Sequence, residues 1–345
     1  MPVCARDAMR PAAAERRSFS TAGLPAAQRI ERWESHNAAA LIGLDVRTSG
    51  ELDATETNLQ LPLVRLARVS GSAHAVERSA AVIARSPADS VAVYLTLRGD
   101  AWFSSADGTR ELHPGDALVC ATDQPFARGF AHGLEELVVT VPCSALGHSP
   151  ARQPTIIGFG AADGGVPQYA RALARLAGRA TGTGSVPPDE RTVLDLTAVL
   201  VAGRNVAPAT AHRAAARVYI EEHLADPGLS ADRIAAAVGI SERQLSRVFA
   251  ATGSSVPRHI LTRRLQLAYA TLLRNAANRG ADNNNADNRG ADNRGPDGSE
   301  ATVADVAARC GFTSAAYFSH AFRRQFGFRA GDLRRGAPAS DFRHL

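Results

Sequence analysis

Residues 302–327 read TVADVAARCGFTSAAYFSHAFRRQFG, a pattern that predicts a helix, a tight turn and a second helix. Apolar residues recur at helical intervals in the first half, which gives that helix one buried face. Gly311 follows, and glycine adopts without steric cost the left-handed backbone that ends one helix before another begins at a steep angle. Ser314 is placed to cap the second helix. The stretch therefore predicts a helix-turn-helix.

The two faces of the predicted second helix differ in chemistry. Large apolar side chains, Phe318 and Phe322, fall on one face and suit a core. The other face is small and polar and consists of Ala315, Ala316, Ser319, His320 and Arg323. A helix with such a face can lie in the major groove of DNA. A plain helical hairpin needs the same glycine and apolar seam, so this copy alone leaves both interpretations open.

A second copy of this plan lies upstream, where residues 230–253 read SADRIAAAVGISERQLSRVFAATG. Gly239 stands at the turn, and Ser230 and Ser241 are placed to cap the two helices. The predicted outer face of the second helix contains Glu242, Arg243, Gln244, Ser246 and Arg247. Between the copies, residues 263–273 predict a connecting helix with one apolar face. Two such units favour DNA binding, because each can place a helix in a successive major groove.

This arrangement resembles the AraC/XylS family of bacterial transcription regulators. The resemblance rests on Arg264-Leu265 and Ala268 in the connecting helix and on Cys310-Gly311-Phe312, Tyr317-Phe318, Phe322-Arg323 and Gly327 in the second unit. The chain departs from the family at Arg329-Ala330, where Ser/Thr-Pro is usual, and at the alanines of the second outer face. The resemblance implies an effector-responsive transcription activator with double-stranded DNA and RNA polymerase as partners.

The chemistry of the side chains suggests which of them contact DNA. Arg243 and Arg247 are the best candidates for reading bases, because a guanidinium can donate two hydrogen bonds to guanine. His320 is the long polar side chain at the equivalent positions of the second unit, whereas Ala315 and Ala316 offer base edges no hydrogen bond. Gln244, Ser246 and Ser319 complete the expected contact surface. Phosphate contacts are expected from Arg263, Arg264, Arg323 and Arg324.

Charge is distributed unevenly along the chain. The formal net charge is +5, and all 39 basic residues are arginines. From residue 212 onward, 19 arginines outnumber 13 acidic residues, whereas the preceding part is close to neutral. A basic domain beside a near-neutral one is typical of a nucleic-acid binder joined to another domain.

The four cysteines, Cys4, Cys120, Cys143 and Cys310, are scattered and show no zinc-ligand spacing. This pattern predicts a reducing compartment, no structural metal and no cofactor. The sequence has no apolar run long enough to cross a membrane and no signal-peptide pattern at its start. We therefore expect a soluble cytoplasmic protein with no membrane partner.

Residues 28–142 predict a series of short strands. Residues 91–97 alternate like a half-buried strand, residues 101–112 form a predicted hairpin, and residues 114–116 form a turn. Strands at this spacing suggest a small barrel or jelly roll. The order of strand, hairpin, Leu-x-Pro-Gly-Asp turn, strand and Pro-Phe resembles the cupin-type sensor domain that precedes the DNA-binding domain in many of these regulators. That resemblance implies a small organic effector inside the barrel.

Two aromatic residues of this region, Tyr94 and Trp102, are candidates for lining an effector pocket, because each has a polar group on an apolar ring. Ordinary core positions are an equally good interpretation of both. His74, His113 and His132 are widely separated and form no His-x-His pattern, so we expect loop or barrel-rim positions and no metal site.

Residues 166–204 predict two helices separated by a loop rich in glycine and proline at 178–188. In the family, such a helical pair often mediates dimerisation, so a homodimer is one expectation. Packing of the pair against the barrel is equally compatible with the sequence.

These patterns together predict an α+β protein: a cupin-like β-barrel with a helical pair, then an all-α domain with two helix-turn-helix units joined by a linker helix. Its expected divisions are a disordered lead-in at 1–27, a sensing and dimerisation domain at 28–204, a linker at 205–211 and a DNA-binding domain at 212–345. Residues 275–300 repeat Ala-Asp-Asn-Arg-Gly and are expected to form a disordered insertion, because they offer nothing apolar to bury.

Two other classes of function stay open from the sequence. One is a cupin-type enzyme with an appended helical domain, which would require metal-binding histidines that converge inside the barrel. The other is a DNA-binding regulator that senses no ligand, for which the C-terminal domain alone carries the function.

Overall fold

The computed structural model describes residues 15–146, 153–160, 165–182, 186–282 and 301–334. These residues divide into two units, one within Ala12–Ala214 and the other within Ala215–Leu345. The first unit contains all the strands, and the second is built from helices.

The strands are β1 (Glu15–Ser20), β2 (Asp45–Arg47), β3 (Ala54–Gln60), β4 (Arg65–Gly71), β5 (His74–Arg78), β6 (Ser90–Arg98), β7 (Ala101–Ser105), β8 (Gly108–Leu112), β9 (Asp116–Ala121), β10 (Phe126–Phe130), β11 (Leu134–Pro142) and β12 (Thr155–Gly158). The helices are α1 (Ala26–Ala40), α2 (Ala80–Arg85), α3 (Cys143–Leu146), α4 (Gly165–Thr181), α5 (Glu190–Ala202), α6 (Pro208–Glu222), α7 (Ala231–Val238), α8 (Glu242–Ala250), α9 (Val256–Asp282), α10 (Val303–Arg309), α11 (Ala315–Phe326) and α12 (Ala330–Arg334).

The first unit is built on two antiparallel sheets that enclose one core. The larger sheet has the strand order β1-β3-β4-β11-β6-β9-β12, and the smaller has the order β2-β5-β10-β7-β8. The core between them includes Trp33, Tyr94, Phe103, Phe126 and Phe130. The predicted hairpin is present as β7 and β8. This arrangement confirms the predicted barrel.

Strand β6 is buried on both faces, so the prediction of a half-buried strand is wrong. Tyr94 faces the core between the sheets. The opposite face of the larger sheet is covered by the helical pair, since α4 packs on β4 and β11 and Leu137 lies beneath Gly178. The alternation of residue types along β6 did not indicate that helices cover the second face of the sheet. The helical pair thus packs against the barrel, one of the two roles that the sequence left open.

The predicted disordered lead-in is wrong for residues 15–27. Strand β1 pairs with β3 along its whole length, and α1 begins at Ala26. A polar edge strand is held by backbone hydrogen bonds to a distant partner, so its own residues show little periodicity. Residues 1–14 lie outside the part of the chain that the structure describes.

In the second unit, the long helix α9 contributes to two cores. Val256 and Ile260, near its start, pack with residues of α6, α7 and α8. Leu265, Ala268 and Leu272 pack with residues of α10 and α11, as predicted for the connecting helix. Helix α9 therefore joins the two helix-turn-helix units by forming part of both.

Two segments predicted to be irregular are partly helical. The linker predicted at 205–211 contains the start of α6 at Pro208, because proline fits the first turn of a helix, where its missing N–H is not needed. The insertion predicted at 275–300 begins inside α9, which continues to Asp282, since a helix that is already formed adds residues at low cost. Residues 283–300 lie outside the described residues.

Arg78 ties several segments of the barrel together. Its side chain is fully buried and donates hydrogen bonds to the carbonyl oxygens of Gly43, Ser86 and Thr122 at 2.7, 2.9 and 2.6 Å. It also donates to the carboxylate of Asp123 at 2.8 Å. Partial burial raises the pKa of Asp123, but backbone hydrogen bonds and Arg78 outweigh this effect and leave the pKa lowered.

Arg78→Ala should lower the free energy of unfolding of the first unit by about 3 to 5 kcal/mol, because it leaves buried acceptors without a donor. Arg85→Ala is the control, since its ion pair with Asp45 is largely exposed and should contribute less than about 1 kcal/mol. Urea unfolding followed by tryptophan fluorescence measures both, because Trp33 and Trp102 lie in this unit. Equal losses for the two variants would contradict the proposed role of Arg78.

Candidate nucleic-acid interface and barrel interior

Helix α8 presents the outer face predicted for the first helix-turn-helix unit. Ser241 caps the helix by accepting a hydrogen bond from the backbone N–H of Gln244 at 3.2 Å, and Gly239 ends the preceding helix with φ 75°. Leu245 and Phe249 are fully buried. The exposed residues are Glu242, Arg243, Gln244, Ser246 and Arg247.

Helix α11 repeats this geometry in the second unit. Ser314 accepts a hydrogen bond from the backbone N–H of Tyr317 at 3.2 Å, and Gly311 forms the turn with φ 81°. Phe318 and Phe322 are fully buried. The exposed residues include Ala315, Ala316, Ser319, His320, Arg323 and Arg324. Because α11 contains no acidic residue, its outer face is small, polar and positively charged.

The helices that precede these two begin differently. Thr302 caps α10 in a capping box, in which Thr302 and Asp305 each accept a hydrogen bond from the backbone of the other. Ser230 was expected to cap α7 in the same way, but its hydroxyl bonds the carboxylate of Asp232 instead. The acidic residue two positions on competes for the hydroxyl, so that predicted cap is wrong.

Tyr317 is an exposed residue of α11 that periodicity had not assigned to the outer face. Its side chain is 54% exposed, and it precedes the buried Phe318. Neighbouring residues of an α-helix lie about 100° apart around the axis. Since Phe318 faces the core, the sequence alone could have placed Tyr317 beside the outer face. The phenol gives the outer face of α11 a large group that can donate a hydrogen bond.

Arg263 faces inward, so the prediction that it contacts phosphate is wrong. It is 5% exposed and donates to the carboxylate of Glu221 on α6 at 2.5 and 3.0 Å. It also donates to the side chain of Gln266 at 2.5 Å. The charge of Arg263 is therefore balanced inside the helical unit.

Arg264 is partly buried, and two of its three nitrogens bind main-chain oxygens of the helical unit; its phosphate contact stays a prediction. Its Nε and Nη2 atoms donate to the carbonyl oxygens of Leu224 and Asp226, between α6 and α7, at 2.9 and 2.6 Å. Gly311 lies against the same guanidinium: a Cβ on Gly311 would be 2.5 Å from the Leu224 oxygen and 2.8 Å from Arg264 Nε. Arg264 therefore links three parts of the helical unit: the linker helix α9, the segment before α7 in the first helix-turn-helix, and the turn of the second helix-turn-helix.

Arg264→Ala should reduce protection of backbone amides in both α7 and α10 against hydrogen exchange by roughly 30- to 100-fold. This corresponds to about 2 to 3 kcal/mol for two carbonyl groups left without a donor. Arg258→Ala, at an exposed position on the same helix, is the control and should change protection by less than about twofold. Peptide-level mass spectrometry measures both. Loss of amide protection in only one of the two helices, α7 or α10, would contradict the linking role of Arg264.

The structure places Tyr94 inside the barrel, where charged side chains surround it. Tyr94 is 4% exposed, and the guanidinium of Arg128 lies 3.9 Å from its ring centroid. Arg128 also donates to both carboxylate oxygens of Glu136, at 3.0 and 2.7 Å. Burial lowers the pKa of Arg128, but Glu136 raises it by more; burial raises the pKa of Tyr94. The inner surface therefore holds a cation against a neutral phenol.

Trp102 does not line the barrel, so its assignment to an effector pocket is wrong. On β7 the neighbouring Phe103 faces the core, whereas Trp102 is 36% exposed and lies on the outer side. Its indole covers Gly129 of β10, where a Cβ would be 2.2 Å from the indole Nε1. Successive residues of a strand point to opposite faces, and a hairpin pattern alone does not fix which face is inside.

The three barrel histidines have separate surroundings. His74 is the first residue of β5 and is buried against Phe130, so it lies at the end of a strand and not in a loop; burial lowers its pKa. His113 and His132 are exposed, and a hydrogen bond to Asp100 raises the pKa of His113. Among the described residues, no group of three His, Cys, Asp or Glu side chains is arranged to hold a metal ion.

Fold and surface together define a class of protein: a cupin-like barrel joined to paired helix-turn-helix units. Residues 33–203 match the family described as AraC-binding-like domain. Residues 298–328 match the bacterial regulatory helix-turn-helix proteins of the AraC family. These matches cover more than half of the chain, and the protein belongs to the AraC family. Within the described residues, no helix is both long enough and apolar enough to cross a membrane.

Similar proteins include two named activators. The transcriptional activator RhrA of Rhizobium meliloti is 29% identical over 139 residues, which are 39% of this chain and 37% of that protein. The HTH-type transcriptional activator RhaS of Escherichia coli is 30% identical over 118 residues, 34% of each chain. The chain thus spans about a third of the length of these relatives. Among solved structures, the AraC-like transcriptional activator CuxR aligns with 74% of this chain and 96% of its own, at 23% identity and a TM-score of 0.45.

Proposed function

We propose that this protein is a transcription regulator that binds duplex DNA through α8 and α11 and responds to a small organic effector in its barrel. The observation that carries the proposal is the pair of exposed helices, each capped by a serine after a glycine turn, on a shared linker helix. RhrA and RhaS are activators by name, which favours activation over repression.

Helix α8 is the better candidate for reading bases. Arg243 and Arg247 are exposed, and their four-residue spacing places them on the same face of the helix. Each guanidinium can donate two hydrogen bonds to the major-groove edge of guanine. Gln244 and Ser246 flank them and supply further hydrogen-bonding groups.

Helix α11 suits shape and phosphate recognition better than base reading. The hydroxyl of Ser319 donates to the carbonyl oxygen of Ala315 at 2.9 Å, which leaves only its lone pairs for DNA. His320 and Tyr317 are the remaining long side chains with polar groups near the start of the helix. Arginines in the last turn are suited to phosphates and comprise Arg323 and Arg324.

The remaining parts of the proposal concern partners. An activator contacts RNA polymerase, acts in the cytoplasm and can pair into a homodimer through its helical pair; these parts are supported by membership of the family. Effector binding has additional support from the barrel itself, whose inner surface contains buried charged groups, among them Arg128 and Glu136.

Arg243→Ala and Arg247→Ala should each weaken binding to the preferred DNA site by about 1 to 3 kcal/mol. Arg324→Ala should weaken binding to all sequences alike and reduce the salt slope of the affinity by about 1. Arg110→Ala, on β8 of the barrel, removes the same charge and should change neither. Anisotropy titrations of the full chain on selected and scrambled duplexes, at several salt concentrations, measure these effects. If Arg243→Ala acts equally on both duplexes, α8 does not read bases.

Base preference should be stronger in the half-site under α8 than in the half-site under α11, because Ala315 and Ala316 offer no hydrogen bonds. Selection of bound sequences from a randomised duplex pool measures this difference. Ala315→Gln should add a preference under α11, since glutamine can pair with adenine. Equal preference in both half-sites of the unmodified protein would rule out the asymmetry.

A further inference from the structure

The barrel interior contains buried polar atoms that make no hydrogen bond. Glu56 is fully buried, and neither of its carboxylate oxygens has a hydrogen-bond partner. Four more such atoms belong to the same two sheets: Asn58 Oδ1, Tyr94 Oη, Thr96 Oγ1 and Arg128 Nε. Buried polar groups are normally paired, because leaving them unpaired costs their desolvation free energy. Several together indicate a site built for something that supplies the missing partners.

Strand register places Glu56, Asn58, Tyr94 and Thr96 on the inner face of the larger sheet. Glu56 pairs across the strands with Val69, which pairs with Glu136, which in turn pairs with Thr96. Asn58 belongs to the adjacent row of the same face, two residues along β3. Because alternate residues share one face of a strand, both rows point into the core between the sheets.

Glu56 differs from Glu136 in having no hydrogen bond from a guanidinium. Glu136 is neutralised by the two hydrogen bonds from Arg128. The Nε2 atom of His36 lies 3.6 Å from Oε1 of Glu56, which is beyond hydrogen-bond distance. Asn58 Nδ2 lies 2.9 Å from the same Nε2. Within hydrogen-bond distance, His36 Nε2 therefore contacts Asn58 and not Glu56.

A surface depression of about 470 Å³ lies at the ends of β3, β4 and β11, with Ala54, Gly71 and Leu134 among its lining residues. These three are cross-strand partners and form the inner row next to the row of Glu56. Glu56 lies one row further into the core and does not itself line the depression.

We propose that the effector is a small organic cation whose ammonium group donates to Glu56 and to Asn58 Oδ1. This rests on the effector part of the proposed function. A cation is favoured over a neutral polyol because a neutral donor would leave the charge of Glu56 uncompensated in the core. A cation is favoured over an acid because Arg128, the nearby buried cation, already uses both of its terminal nitrogens on Glu136.

The test is a thermal-shift titration of the full chain with butylammonium, 1,4-diaminobutane and benzylammonium, each compared with the alcohol of the same skeleton. At least one ammonium ion should raise the Tm with concentration, with the matched alcohol roughly tenfold weaker or more. Glu56→Gln should abolish this shift. It should also raise the Tm of the ligand-free protein, because it removes an unpaired charge at constant shape. Glu111→Gln, an exposed change on β8, should do neither.

Three outcomes would overturn the proposal: no ammonium ion shifts the Tm, alcohols bind as well as ammonium ions, or Glu56→Gln binds ammonium unchanged. A lower Tm for ligand-free Glu56→Gln would show that the carboxylate is a structural group. If Glu56→Gln does not fold, Asn58→Leu replaces it and should weaken ammonium binding roughly tenfold. DNA binding by the same preparation is measured separately. Ammonium binding without DNA binding would refute the regulator function but would still support the proposed cation site.

Discussion

The guanidinium of Arg264 is the contact on which the geometry of the helical unit depends. It joins α9 to the main chain before α7 and lies against Gly311 in the turn of the second unit. Two recognition helices can enter successive major grooves only if their separation matches the DNA repeat, about 34 Å. Hydrogen bonds to backbone carbonyls fix such a separation more firmly than side-chain packing alone, because backbone atoms cannot change rotamer.

The barrel solves the problem of buried charge in two opposite ways. Arg128 and Glu136 neutralise one another and hold the two sheets together across the core. Glu56, two strands away, has no such partner. A folded domain tolerates one uncompensated group when the rest of its core is well packed, and such departures from local consistency concentrate at functional sites. The same interior thus combines a paired guanidinium and carboxylate with a carboxylate that has no hydrogen-bond partner.

Local features of the fold were predictable, and the orientation of long side chains was not. The turn at Gly311 and the cap by Ser314 involve residues within one helical turn, so both could be inferred from sequence spacing, whereas the close approach of Gly311 to Arg264 could not. Arg263 and Arg264 have the chemistry of phosphate contacts, but their partners lie 42 and 40 residues upstream and only the tertiary fold brings them close. The prediction for Trp102 was wrong for a different reason: a shift of one position along a strand moves a side chain from the inner face of the sheet to the outer face.

Because α9 contributes residues to two cores, the helical unit cannot be divided within α9 without disrupting its packing. Genetic recombination that breaks the chain within α9 would leave one half without part of its packing surface. The two units repeat one plan, yet they cannot be multiplied like the repeats of a solenoid, in which each repeat contacts only its neighbours. Because α6 also packs in the first of these cores, a break upstream of Pro208 would leave both cores with all their helices.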